Sequence, residues 1–124
     1  MMLAAMINAL HALIYAKDAE QARAFFRDVL SFPTVDAGQG WLIFALPPAE
    51  LGVHPAEKEM SHELYFMCDD VNKTIAELKA KGVECAEVHD AGWGLVTSFE
   101  IPGGGKMGLY QPRHPTAFNL KQRV

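Results

Sequence analysis

Disulfide frameworks, basic runs and long uninterrupted apolar spans are all missing from this sequence. Its 124 residues hold only two cysteines, Cys68 and Cys85, too few for a small disulfide scaffold. A reduced, cytoplasmic setting is expected. Lysine and arginine number 11 against 15 acidic residues, a formal net charge of −4, and nowhere do the cations cluster. A nucleic-acid footprint needs such a cluster, so no nucleic-acid partner is expected. Residues 1–16 contain no Asp, Glu, Lys or Arg. The first cation, Lys17, follows this stretch instead of preceding it, and Asn8 and His11 interrupt it. A core segment is therefore expected there, with neither a targeting sequence nor a membrane span. Nucleophile and phosphate motifs are absent too. There is no Gly-x-Ser-x-Gly, and Gly103-Gly104-Gly105 lacks the Lys-Ser/Thr and helix of a phosphate loop, so it reads as a tight turn.

What is present is a core-forming composition, 50% hydrophobic, on a length that suits one domain over residues 1–124. Within it the chain repeats itself. Leu10-His11-Ala12-Leu13-Ile14-Tyr15-Ala16-Lys17-Asp18 is echoed by His62-Glu63-Leu64-Tyr65-Phe66-Met67-Cys68-Asp69-Asp70. Each apolar segment ends at an acid that can cap a helix. After Asp18, Gln21 stands where a capping box would place it, and Ala22, Phe25, Phe26, Val29 and Leu30 form one apolar stripe ended by Pro33. After Asp70, Val71, Ile75 and Leu78 form the stripe and Gly82 the stop.

Strand-like pieces follow each helix. The first half offers 34–37, 41–46 and 50–54; the second offers 83–88, 95–101 and 106–111, with glycines and prolines between them. A strand is also expected over 9–16, by analogy with the second half and against its helix-forming composition. The pattern is βαβββ twice, with modules at 7–55 and 62–113.

Two such sheets can curl toward each other around a cavity, with every second strand residue facing inward. Leu64, Phe66 and Cys68 suit the helix-covered face, leaving Glu63, Tyr65 and Met67 for the cavity; His11, Leu13 and Tyr15 take the same places in the first half. His11 and Glu63 each lie seven residues before the capping acid, so pseudo-twofold symmetry would bring them together. His and Glu are suitable ligands for a divalent metal.

The His11-to-Asp18 opening, the Phe25-Phe26-Arg27-Asp28-Val29-Leu30-Ser31-Phe32 helix end, the Asp69-Asp70-Val71 step and the Pro102-Gly103-Gly104-Gly105 turn before Leu109-Tyr110-Gln111-Pro112 resemble the vicinal oxygen chelate superfamily. This superfamily includes glyoxalase I, bleomycin and fosfomycin resistance proteins and extradiol dioxygenases. The resemblance spans roughly residues 7 to 113. It implies an α+β fold, two βαβββ modules forming a curled mixed sheet around a cavity, and a homodimer or an in-chain pairing of modules. It also implies four inward metal-ligand positions. Here these fall at His11, Glu63, Gly52 and Gly108, so two of the expected ligands are glycine. His54, two residues beyond Gly52, shares its strand face and completes a His11, His54, Glu63 set of the type used for iron or zinc.

Two functional readings stand. The first is a glyoxalase- or extradiol-dioxygenase-like enzyme, a metal-dependent lyase, isomerase or ring-cleaving dioxygenase. A divalent metal (Fe, Zn, Mn or Ni) would act as Lewis acid on a small, vicinal-oxygen or aromatic substrate. Glu63 would be its catalytic base if it is not a ligand. The second is a metal-free, ligand-sequestering protein of the bleomycin-resistance kind, in which Gly52 and Gly108 widen the cavity floor. Tyr15, Trp41, Tyr65, Trp93 and Tyr110 then read either as an aromatic wall for the ligand or as ordinary core. A homodimer and a small-molecule ligand are the partners expected, and no membrane.

Overall fold

The computed structural model describes residues 11–57 and 62–117. Helix α1, Ala19–Ala24, starts where the Asp18 carboxylate accepts a hydrogen bond from the Gln21 N–H at 3.0 Å. It passes into a π-helical turn over Phe25–Val29, in which the Leu30 N–H reaches back to the Phe25 carbonyl at 3.2 Å. That turn buries Phe25 and Phe26 together and ends at Ser31, whose φ of 60 lets the chain leave the helix axis before Pro33.

Strands β1, Thr34–Asp36, and β2, Leu42–Phe44, form an antiparallel ribbon. The turn between them is held by the Asp36 carboxylate, which accepts from the Gly38 and Gly40 N–H groups. Residues 11–16 and 50–54, expected as strands, run without strand structure. A strand exists only with a ladder partner, and none within the described residues pairs with either segment. Ala16 packs against the core, but Leu13, Tyr15, Leu51 and Val53 are left uncovered, Tyr15 at 90% exposure.

The second half is more regular. Strand β3, Tyr65–Met67, leads into helix α2, Val71–Ala80, which Asp70 caps by accepting from the Lys73 N–H at 3.1 Å. Strands β4, His89–Asp90, β5, Gly94–Glu100, and β6, Lys106–Pro112, complete a four-stranded sheet in the order β3-β6-β5-β4. β3 runs parallel to β6, and the other pairs are antiparallel. The piece expected over 83–88 is reduced to one bridge between Cys85 and Phe99, with the paired strand beginning at His89.

Both helices cover one face of this sheet. Phe99, Ile101, Met107 and Leu109 pack there with Leu78 of α2 and with Ala22, Phe25 and Phe26 of the first half. Phe25 meets Phe99 at 5.9 Å and Phe26 meets Phe66 at 6.4 Å between ring centroids, so α1 and its π turn are fastened to the second-half sheet. The Asp18 N–H donates to the Gly103 carbonyl at 2.8 Å, tying the β5–β6 turn to the start of α1. Phe66 and Cys68 point into this core, and the alternation of β3 therefore turns Tyr65 and Met67 to the opposite, open face. No helix among the described residues is long and apolar enough to cross a membrane.

Candidate functional site

The open face of the sheet carries a hollow of about 540 Å³. The ladder register defines its floor, because residues paired across strands share a face. Tyr65 pairs with Gly108, and Gly108 with Ser98; Met67 pairs with Tyr110, and Tyr110 with Val96. Tyr65, Gly108, Ser98 and Val96 line the hollow, with Glu63, Glu87, His62, His89 and Lys106 around them.

Glycine inside a strand is normally unfavourable and marks a close approach of some other group. Here that group is a tyrosine ring, twice. A Cβ on Gly108 would run into the Tyr65 ring, at 2.6 Å from Cε1 and 3.1 Å from Cγ. A Cβ on Gly94 would meet Tyr110 Cδ2 at 2.8 Å and the Gln111 carbonyl at 2.8 Å. Each ring therefore lies against the sheet, on a place that a side chain would fill.

Trp93 joins the two tyrosines. Its ring stands 5.9 Å from Tyr65 and 5.0 Å from Tyr110, and Tyr65 and Tyr110 are 5.7 Å apart. All three contacts are edge-to-face, at 78° to 87° between planes, the arrangement the ring quadrupoles favour. Tyr110 is 8% exposed and forms the back of the corner, while Tyr65 and Trp93, at 41% and 42%, present open surface. Trp93 is positioned by its turn. Asp90 accepts from the Gly92 N–H at 2.9 Å and from the Arg113 guanidinium at 2.6 Å, and the Arg113 N–H donates to the Trp93 carbonyl at 2.9 Å. The Gly92 N–H, then Arg113, hold the Asp90 carboxyl below its ordinary range.

The Tyr65 hydroxyl donates to Glu63 at 3.2 Å. Burial first, then the charge of Glu63, raise the Tyr65 phenol above its usual range. The Tyr110 phenol is raised as well, by burial and then by the charge of Glu50. Both hydroxyls therefore keep their protons at neutral pH and serve as donors. The Tyr110 hydroxyl meets His114 Nε2 at 3.0 Å, and His114 Nδ1 meets the Pro115 carbonyl at 2.7 Å. Glu50 stands 3.8 Å from the same Nε2 and accepts from the Ala117 N–H at 2.8 Å.

Of the aromatic residues singled out from sequence, Tyr65, Trp93 and Tyr110 come together. Tyr15 and Trp41 make no described ring contact with them, and Trp41 is stacked instead by the Arg23 guanidinium at 4.8 Å. Nothing in the sequence pattern of strands and helices brings Glu50 or His114 to the site. His114 lies four residues after Tyr110, too far along an extended chain to touch it, and only the bend between Pro112 and Pro115 returns it. That proline bracket was the one available signal.

A divalent metal would need a gathered donor set. Among the described residues no three His, Cys, Asp or Glu side chains form one. Of His11, His54 and Glu63, only Glu63 lines the hollow, and the histidines are exposed. The Tyr65 ring occupies the place where a side chain at 108 would project. The described residues of one chain do not fit the ion.

A family model described as Glyoxalase/Bleomycin resistance protein/Dioxygenase superfamily matches residues 8–108. Among curated proteins none matches. Among solved structures, an antibiotic binding protein from Streptomyces sp. CB03234 is 25% identical, aligns over 87% of this chain and 98% of its own, and has a TM-score of 0.64. A glyoxalase/bleomycin resistance protein from the same organism is 26% identical over 79% of this chain and 95% of its own, with a TM-score of 0.55. Lactoylglutathione lyase from Agrobacterium tumefaciens is 17% identical over 86% and 95% of the two chains, with a TM-score of 0.58, a likeness of fold.

Proposed function

The chain belongs to the Glyoxalase/Bleomycin resistance protein/Dioxygenase superfamily, and from that premise we propose that it is a metal-free binding protein for a small planar aromatic ligand. The observation that carries this reading is the Tyr65 ring lying on Gly108 with its outer side facing the hollow. A ring backed by the sheet offers a stacking face to the hollow, and Trp93, nearly perpendicular to it and outside the hollow's lining, holds that ring in place by an edge contact. Glu63, already accepting from Tyr65, has further lone pairs for a donor on the ligand. The likeness to an antibiotic binding protein supports the same class of function. The enzyme reading with a metal on His11, His54 and Glu63 has no gathered donor set among the described residues in its favour.

The halves 7–55 and 62–113 are taken as two modules that find their missing partners in a second copy. Leu51 and Val53 stand almost fully exposed, and Val35 and Trp41 are about two-thirds exposed. An apolar surface of this extent on the ribbon and the segments beside it calls for a cover, and a homodimer supplies it. Both thiols are unpaired, which suits a cytoplasmic setting.

Calorimetric titration with coumarin, a neutral planar two-ring probe, tests the binding claim. Coumarin is expected to bind, and cyclohexanone, which cannot stack, to give no measurable heat. Tyr65→Ala and Trp93→Ala should each weaken coumarin about fivefold to tenfold, as the loss of one aromatic contact of ~1 kcal/mol requires. Unchanged affinity in both variants would place the ligand elsewhere.

A further inference from the structure

We infer that His114 is a positioning residue for the aromatic corner and makes its geometry respond to pH. The inference rests on the binding reading above. Tyr110 is the element both exposed rings lean on: it touches Trp93 and Tyr65, and its own ring lies on Gly94. The only hydrogen bond described for its hydroxyl is the one to His114 Nε2, at 3.0 Å.

The proton pattern of that imidazole follows from its other contact. The Pro115 carbonyl can only accept, so Nδ1 carries a proton and Nε2 of the neutral ring takes the proton of Tyr110. Acidification adds the second proton at Nε2, the nitrogen where Tyr110 and Glu50 converge. The acceptor becomes a donor. A charge-assisted bond to a carboxylate is roughly twice as strong as one between neutral groups, so the imidazolium turns toward Glu50 and closes their 3.8 Å gap. The Tyr110 hydroxyl loses its acceptor and can meet the imidazolium only as an acceptor itself, in competition with the Glu50 carboxylate. As the imidazolium is drawn to Glu50 that bond opens, and Tyr110 is held by its contacts with Trp93 and Tyr65 alone.

The remaining charged groups nearby are engaged elsewhere. Arg113, adjacent in sequence, is paired with Asp90, and His89 lies on β4 beside Asp90. Glu63 faces Tyr65 and does not reach Tyr110. Glu50 itself is tethered through the Ala117 N–H.

The test compares wild type, His114→Gln and Glu50→Gln at about pH 8 and about pH 5.5. Two readouts are used: near-ultraviolet circular dichroism, which reports coupling among the three rings, and calorimetric affinity for coumarin, which does not titrate in this range. In wild type the dichroism should change on acidification while the far-ultraviolet signal stays constant, and coumarin should weaken at least fivefold. His114→Gln should be flat in both readouts, and Glu50→Gln should show a smaller change than wild type. A wild-type dichroism that does not respond to pH would overturn the inference. So would a His114→Gln protein that responds as wild type does. If coumarin fails to bind wild type even at pH 8, the binding reading falls, and the ligand-free dichroism still decides the role of His114.

Discussion

Phe26→Ala is expected to lower the unfolding free energy by about 3–5 kcal/mol, the range for emptying a buried aromatic site. The Phe26 ring meets Phe25 at 5.8 Å, Phe44 at 5.7 Å, Phe32 at 6.3 Å and Phe66 at 6.4 Å. These partners belong to the π turn, the first-half ribbon, the segment between them, and the second-half sheet. Ribbon β1–β2 has two strands and is marginal by itself. Phe44 against Phe26 is its aromatic anchor to the rest of the molecule. Because a domain of this size is stable by only about 5–15 kcal/mol, the substitution removes a large share of the total. Equilibrium urea unfolding, followed by far-ultraviolet dichroism and by tryptophan fluorescence, measures it. The expected result is a midpoint displaced to lower urea in both signals. A change below about 1 kcal/mol would show that the two halves are not held together through this ring.

Gly108→Ala is expected to act on binding and hardly on stability. Its Cβ meets the Tyr65 ring, and the collision reaches Cγ at 3.1 Å, an atom on the axis of ring rotation, so a ring flip does not relieve it. The neighbour that gives is a half-exposed side chain, and it can swing outward. Overpacking typically costs about 1–3 kcal/mol, while replacing a strand glycine by alanine restores about 0.5–1 kcal/mol through the unfolded state. The net loss should therefore stay near 1 kcal/mol. Coumarin binding should fall more than tenfold, because the displaced ring both removes the stacking face and enters the hollow. Wild-type affinity in a folded Gly108→Ala protein would refute the claim that Tyr65 stacks its ligand from a seat on this glycine.

The second half was the more legible in sequence, for a physical reason. β5 and β6 are long, pair with each other along seven residues, and bury one face against two helices, so alternation and turn glycines mark them clearly. Asp18 and Asp70 cap as their spacing indicates, since an N-cap is a local interaction. A strand over 9–16 rests on analogy with the second half, and one over 50–54 on its strand-like residues. Strand formation there depends on a ladder partner, and nothing local in the sequence supplies one. Gly108 was read as an absent ligand or a widened floor. Its role is set by Tyr65, 43 residues earlier and opposite it in the β3–β6 register, a relation that only folding reveals. The aromatic trio was half legible: composition named five rings, and the structure joins three. Glu50 and His114 were invisible because their meeting with Tyr110 depends on two irregular segments.

In the proposed reading the pocket holds its ligand through the Tyr65 ring and the Glu63 carboxylate, with no ion in the bond. The most direct measurement is the calorimetric affinity for coumarin before and after exhaustive dialysis against EDTA, followed by readdition of zinc or iron(II). The two affinities should agree within about twofold, and the added ions should not change them. A tenfold or greater loss on chelation, restored by either ion, would contradict the account.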